Sequence, residues 1–354
     1  MVAPLNNGAN SSGSQGMWRD FSIIVPSVKS KSKKDEERRT KDKGFQLPTT
    51  AATTYRHQSS QVLSATVHLA NTMIGNHPTQ SSSPNADRNF NDLKDIFKDR
   101  IYGTLKGTYR FEMATQDLDA ELERRYPNKT SLVALDIGGG LGQMTLNIGK
   151  RSNFDKVVYY DIAEQMKEHV DLEVKLKQGS DGGELKAKVE THVGGLKDAV
   201  RAIFQDEPRN ALPDVVCLHA VLEWLQSPME DLDLLLHSMQ PGSILSLLYY
   251  NNIASEKPKK PRKKPRKPSK LTPYHEFHYE EIERKLIESG FEITCRTGLR
   301  IKKFQRDGTD VELKQYLEEE RKIARIEPFC RQGRYNHIIA VKAKDKTHND
   351  EIDN

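Results

Sequence analysis

Apolar residues begin to recur at helical spacing near Asp87. Phe90, Leu93, Ile96 and Phe97 form one stripe, and Phe111, Leu118 and Leu122 form another within a helix predicted over about 108–126. An alternation of strand-like and helix-like segments follows. Ser131–Ile137 reads as a strand, the glycine-rich Gly138–Gly142 as a turn, and a helix opens near Gln143. Further strands are predicted at Lys156–Asp161, Val189–Val193, Asp214–His219 and Ile244–Tyr250, with helices after Ala163 and after Ser227-Pro228, where Pro suits the first helical position. Ile244–Tyr250 is apolar on both alternating faces around a single Ser246, the pattern of a strand buried on both sides. A helix near Tyr279–Glu288, a strand at Phe291–Thr297, a charged helix near Val311–Ile326 and a strand at Tyr335–Lys342 complete the chain. Strands alternating with helices predict an α/β fold with a parallel sheet, and the last two strands fit an antiparallel edge.

Composition changes the picture at the ends. The 354 residues are 36% apolar, low for a chain that is all core-forming, and residues 1–86 are rich in Ser, Thr, Asn and Lys without a sustained apolar period. Disorder is expected there, with a short helix over about Gln61–Ile74, and 345–354 reads as a polar tail. The net charge of +5 hides an asymmetry. Residues 1–86 hold 10 basic and 5 acidic side chains, 257–270 (KPKKPRKKPRKPSK) hold 9 basic and none acidic, and the remainder carries 36 basic against 45 acidic, a net −9. Contact with a polyanion is therefore expected to be local. The prolines of 257–270 forbid a helix, leaving a phosphate-contacting segment, a solvated linker or a nuclear-localisation signal. Three distant cysteines exclude a disulfide framework and fit a reducing compartment. No apolar run is long enough to span a bilayer, and the N-terminus does not read as a secretory signal. A cytoplasmic location is the expectation, with organellar or nuclear targeting left open. His275, Glu276 and His278 match no common metal spacing, so they read as a polar loop and no metal is expected.

The sharpest chemistry lies at LDIGGGLGQ, Leu135–Gln143, between a strand and a helix. Glycines allow a tight turn and close backbone approach to a ligand. A dinucleotide site wants its third glycine where Gln143 stands, and Asp136 before the loop would repel a pyrophosphate while suiting a ligand with an ammonium and a sulfonium. The loop therefore favours S-adenosylmethionine over NAD. Asp161, ending the second strand, is placed to accept ribose hydroxyls or, alternatively, to cap the following helix. Glu223-Trp224 reads as packing at a helix start.

DRNFNDLKDIFKDRIYGTLKG (Asp87–Gly107), LDIGGGLGQ, HAVLEWLQSP (His219–Pro228) and GRYNHI (Gly333–Ile338) together resemble the bacterial tRNA 5-carboxymethoxyuridine methyltransferases, over about residues 87–344. The resemblance implies one class I methyltransferase domain: a Rossmann-like, doubly wound, mostly parallel seven-stranded sheet with an antiparallel edge strand. It implies S-adenosyl-L-methionine as cofactor and formation of the methyl ester of 5-carboxymethoxyuridine at the tRNA wobble position. By the same resemblance Arg110 pairs with the cofactor's carboxylate, Gly138, Gly139 and Gly140 lie along its methionine part, Asp161 holds the ribose, Leu196 stands near adenine and His219 closes the pocket. The family's acidic pair at the adenine is replaced here by Leu196-Lys197. A carboxylate acceptor needs no general base, so no catalytic residue is expected; cations near the last strand would orient it, and the candidates are Arg300, Arg331 and Arg334 with Tyr335 and His337. Methylation of another small-molecule or protein carboxylate, or a non-catalytic binding module on the same scaffold, are the alternatives.

Overall fold

The computed structural model describes residues 86–178, 183–206, 212–252, 271–301 and 309–344. The N-terminal extension up to its last residue, the 61–74 helix, the basic run 257–270 and the tail 345–354 lie outside the described residues.

Seven strands form one sheet in the order β3-β2-β1-β4-β5-β7-β6. They are β1 (Leu132–Ile137), β2 (Phe154–Asp161), β3 (Lys188–Val193), β4 (Val215–His219), β5 (Ile244–Tyr250), β6 (Phe291–Leu299) and β7 (Tyr335–Lys342). β1 to β5 pair in parallel, and β7 runs against both of its neighbours, β5 and β6. The antiparallel strand thus lies one place in from the edge, and β6 forms the edge itself. β5 covers the seven residues read from its apolar run.

Among the described residues eight α-helices accompany the sheet: α1 (Lys94–Phe97), α2 (Leu105–Arg125), α3 (Gln143–Gly149), α4 (Glu164–Gln178), α5 (Leu196–Val200), α6 (Pro228–Ser238), α7 (Tyr279–Glu288) and α8 (Asp310–Ile323). Side chains alternate across each strand. Leu135, Ile137, Val216, Leu218, Leu245 and Leu247 pack with α5, α6 and α7 residues on one face. Ala134, Val157, Val215, Cys217, Ile244 and Ile339 pack with Ala114, Leu118, Leu122, Met144 and Ile148 of α2 and α3 on the other. The spacing within α2 decides its packing: Tyr109, Met113, Asp117, Leu118, Glu121 and Leu122 are buried along one stripe, and Thr104 caps its start by accepting a hydrogen bond from Gly107 N at 3.1 Å. The short α5, absent from the sequence reading, is bounded by Gly195, whose amide donates to Asp198 Oδ2 at 2.9 Å.

The chain winds outward from β1 through β2 to β3, then returns to place β4 on the other side of β1. A crevice opens at such a switch point, outside the carboxyl ends of the strands. The loop after β1 and His219 at the end of β4 meet there.

Candidate functional site

The glycine loop is tight because of its protein neighbours. Gly138 and Gly140 adopt φ of 66° and 54°, in the left-handed region open to glycine. A Cβ on Gly138 would come within 2.4 Å of Val221 Cγ2, one on Gly139 within 2.6 Å of the Tyr159 ring, and one on Gly140 within 2.7 Å of the Tyr102 hydroxyl. Gly138 N–H donates to Tyr160 O at 2.7 Å, and the Tyr159 hydroxyl donates to Gly140 O at 2.8 Å. Gly139→Ala is expected to lose cofactor affinity at least tenfold and to lower Tm, since Tyr159 is fully buried and has no room to retreat; calorimetry with S-adenosylhomocysteine and a thermal scan check both.

The two carboxylates flank this loop. Asp161 Oδ2 accepts from Gly140 N at 2.9 Å and Oδ1 from Ala163 N at 2.8 Å, so both oxygens brace backbone while keeping further lone pairs for a ligand. Burial raises its carboxyl above the usual range against the pull of those two amides. Both sequence readings of Asp161 are compatible with this geometry, since one oxygen caps the turn into α4 and the other holds the loop. Asp136 is buried behind Gly139 and accepts from Thr145 Oγ1 at 2.6 Å; burial pushes it up to about 6, with the Thr145 bonds opposing. It is tied to α3, an arrangement its position before the loop did not reveal.

Across the crevice stand His219, Glu223 and Arg110. His219 Nε2 is 2.8 Å from Ser246 Oγ, and burial pushes its imidazole far below the ordinary range. Glu223 is 0% exposed, and neither carboxylate oxygen has a partner from another of the described residues. Burial pushes it up to about 8, against smaller pulls from its own amide and from Arg110. A fully buried carboxyl left unsatisfied costs free energy, so it marks a place that a ligand donor can complete. Trp224 packs as its place at a helix start predicts, edge-on to Phe90 at 4.9 Å, whereas Glu223 is buried beside it.

The five residues expected to orient a substrate divide. Tyr335 donates to the Tyr250 hydroxyl at 2.6 Å, with ring centroids 4.3 Å apart. Arg110 and Arg300 lie over the Tyr335 ring at 5.1 and 5.8 Å, and Arg334 lies over Tyr250 at 5.2 Å. Three arginines thus ring a tyrosine pair at the carboxyl end of β5, a site for cation–π contact. Arg300 has φ of 58°, held by its own amide and that of Ile301 donating to the two oxygens of Glu320 at 2.7 and 2.9 Å. Arg331 departs from expectation, since it pairs with Glu283 and Glu327 and stacks on Tyr279. His337 has no exposed surface and bonds Asp117, because its position on β7 turns it toward α2. Leu196 is 2% exposed in the core, turned inward by α5, so its side chain is not free to meet an adenine. His278 caps α7 by accepting from Glu280 N at 3.4 Å, and Arg334 pairs with Glu276 at 3.6 Å.

A family model described as a methyltransferase domain matches residues 109–296. The tRNA 5-carboxymethoxyuridine methyltransferase of Escherichia coli (strain K12) is 31% identical over 283 residues, covering 73% of this chain and 98% of that protein, and the protein of strain O157:H7 matches equally. Solved structures with similarity to this chain include the plantazolicin methyltransferase BpumL with SAH (TM-score 0.43, 16% identity, 72% of this chain and 90% of that one). Another is the magnesium protoporphyrin IX methyltransferase ChlM of Synechocystis PCC 6803 with bound SAM (TM-score 0.44, 16% identity, 72% and 93%). With the glycine loop, the two carboxylates and the switch-point crevice in place, the chain belongs to the tRNA 5-carboxymethoxyuridine methyltransferase family, and it is an S-adenosylmethionine-dependent methyltransferase.

Proposed function

We propose that the enzyme methylates the carboxylate of 5-carboxymethoxyuridine at the tRNA wobble position, forming the methyl ester. The observation that carries this reading is the arginine-ringed pair Tyr250 and Tyr335 beside the crevice, where the cations Arg300 and Arg334 suit an anionic nucleoside. The Escherichia coli relative bears the name of that activity. Arg110 holds the cofactor's carboxylate, Gly138 to Gly140 leave room for its methionine part, Asp161 accepts from its ribose, and His219 and Glu223 wall the crevice. S-adenosylmethionine, when bound, supplies an electrophilic methyl group on a sulfonium. The acceptor carboxylate is anionic at pH 7 and, held by Arg300 and Arg334 beside the crevice, would accept that methyl group as a nucleophile already in its reactive form. No proton moves and no base is required. The protein's share is alignment, on a scale of about 7–11 kcal/mol.

Arg300 and Arg334 are half-exposed or exposed and orient the substrate anion in this reading. The double variant R300A/R334A is expected to raise KM for tRNA about tenfold or more while leaving S-adenosylhomocysteine affinity within twofold. The basic run 257–270 contacts tRNA phosphates in this reading, and a cytoplasmic location goes with it; replacing its nine basic residues with Gln should weaken tRNA binding and flatten its dependence on salt. An unchanged slope would remove phosphate contact from that segment. The test of the reaction uses labelled S-adenosylmethionine and tRNA bearing 5-carboxymethoxyuridine, with digestion and mass spectrometry. A base-labile methyl ester on that nucleoside is the expected product. Absence of label, with cofactor binding intact, would move the acceptor to another carboxylate.

A further inference from the structure

A line of polar side chains crosses the apolar face of the sheet that α2 covers. Arg325 Nε donates to Asp117 Oδ1 at 2.6 Å, and Asp117 Oδ2 lies 2.7 Å from His337 Nδ1. His337 Nε2 lies 2.9 Å from Ser246 Oγ, which lies 2.8 Å from His219 Nε2. Strand register makes this continuous: Ser246 stands opposite Cys217, and Leu248 pairs with both His219 and His337, so alternate residues of β4, β5 and β7 turn to one side. Asp117, Ser246 and His337 are buried, whereas Arg325 reaches the surface and His219 borders the crevice. Nothing in the proposed methyl transfer uses Asp117, Ser246 or His337. Burying such a set without exact pairing would be costly, so its hydrogen order is constrained at every step.

We propose that Asp117, His337 and Ser246 are positioning residues that fix the ring orientation and the tautomer of His219 at the cofactor crevice. Its functional half rests on the crevice being the cofactor site; the tautomer does not. Asp117 is ionised, because hydrogen bonds from His337 and Thr297 and the charge of Arg325 outweigh its burial. A carboxylate only accepts, so His337 carries a proton on Nδ1. Arg325 balances the charge of Asp117, so in this proposal one proton on His337 suffices and its Nε2 is the acceptor. The Ser246 hydroxyl donates to that nitrogen in preference to the nearby thiol of Cys217, a weaker acceptor. The hydroxyl oxygen in turn accepts from His219 Nε2–H. His219, being neutral, keeps a lone pair on Nδ1, for which no partner stands among the described residues. The crevice wall therefore presents an acceptor, suited to a hydroxyl or amine donor of a nucleoside ligand.

The substitution Asp117→Asn reverses the order. Its amide oxygen still accepts from Arg325, while its NH2 donates to His337 Nδ1. The His337 proton shifts to Nε2 and is donated to Ser246, whose hydroxyl turns to donate to His219 Nε2. The proton of His219 then sits on Nδ1. Long-range proton–nitrogen NMR on the full chain labelled in its 11 histidines reads this without any ligand, with signals assigned by their loss in His219→Gln and His337→Gln. The expected result is an Nε2–H His219 in the native protein, an Nδ1–H His219 in D117N and a mixture in S246A, where the link is cut with little change of volume. A native Nδ1–H, or a D117N protein in which His337 inverts and His219 does not, overturns the relay. Where D117N fails to fold, S246A decides alone, and an unmixed Nε2–H signal in it overturns the proposal. Calorimetry with S-adenosylhomocysteine, at a temperature where D117N is folded by circular dichroism, should show affinity about tenfold weaker in D117N. An inverted tautomer with unchanged affinity overturns the positioning role. A native protein that binds no S-adenosylhomocysteine would refute the cofactor reading instead, leaving the NMR result standing.

Discussion

Asp161→Ala is expected to abolish measurable binding of S-adenosylhomocysteine and also to lower Tm, whereas a pure ligand contact would change affinity alone. The carboxylate accepts from the amides of Gly140 and Ala163, both inside the loop and turn that shape the crevice. Truncation leaves two buried donors unpaired, at about 1–3 kcal/mol each. The loss of affinity, expected to exceed 100-fold, combines the absent ribose acceptor with a Gly140 free to leave its φ of 54°. Calorimetry and urea unfolding on one preparation separate the two parts. Asp161→Asn should fall between, because its amide oxygen satisfies one donor while its NH2 opposes the other. Affinity unchanged in both variants would remove Asp161 from the cofactor site.

The second large effect is a loss of stability with rising pH, located at Glu223. Its folded carboxyl is pushed up to about 8 by burial, from an ordinary value of 4.5. A group whose folded pKa is raised contributes fully below the unfolded value, and that contribution is lost as pH rises through the folded one. Asp136, pushed up to about 6, acts in the same direction and is spent by about pH 7. His219 opposes them: its folded pKa is depressed, so the stability it contributes is lost as pH falls below about 6.5. Between pH 6.5 and 8 Glu223 acts nearly alone, and the free energy of unfolding should fall by about 2 kcal/mol. Glu223→Gln, neutral throughout, should flatten that window and exceed the native protein in stability above pH 8. Urea unfolding followed by circular dichroism at half-unit steps measures it; a slope that persists in E223Q would assign the effect elsewhere. A ligand that donates to Glu223 should flatten the same window in the native protein.

Much of the fold was legible because its signals are local. The run Ile244–Tyr250 becomes β5 with the same ends, since a strand covered on both faces has no polar alternation to confuse it. The helix start at Pro228 and the strand Tyr335–Lys342 also stand where proline geometry and apolar alternation put them. The reversed β7, lying between two parallel strands, was readable as an antiparallel edge but not in its place, because strand order is set by long-range pairing. Of the candidate site, the glycine loop and Asp161 are legible by residue type and by their position after a strand, and the structure brings them together. Arg331 and His337 misled because a short spacing along the chain does not say which way a side chain turns. Ser246 did leave a signal, a lone hydroxyl inside an otherwise apolar strand, which in a buried setting demands a partner.

Local residue order, acting over a few positions, determined the element sequence, the glycine turn and the carboxylate at the end of β2, because periodicity and glycine conformational freedom are properties of short segments. The tertiary structure alone decided that the Glu223 carboxylate would be buried without a partner among the described residues, that Arg110, Arg300 and Arg334 would gather on Tyr250 and Tyr335, and that Asp117 would reach His337 across 220 residues. Those outcomes depend on which faces are pressed together when the sheet closes, and on the desolvation that follows, and neither is written in any one segment.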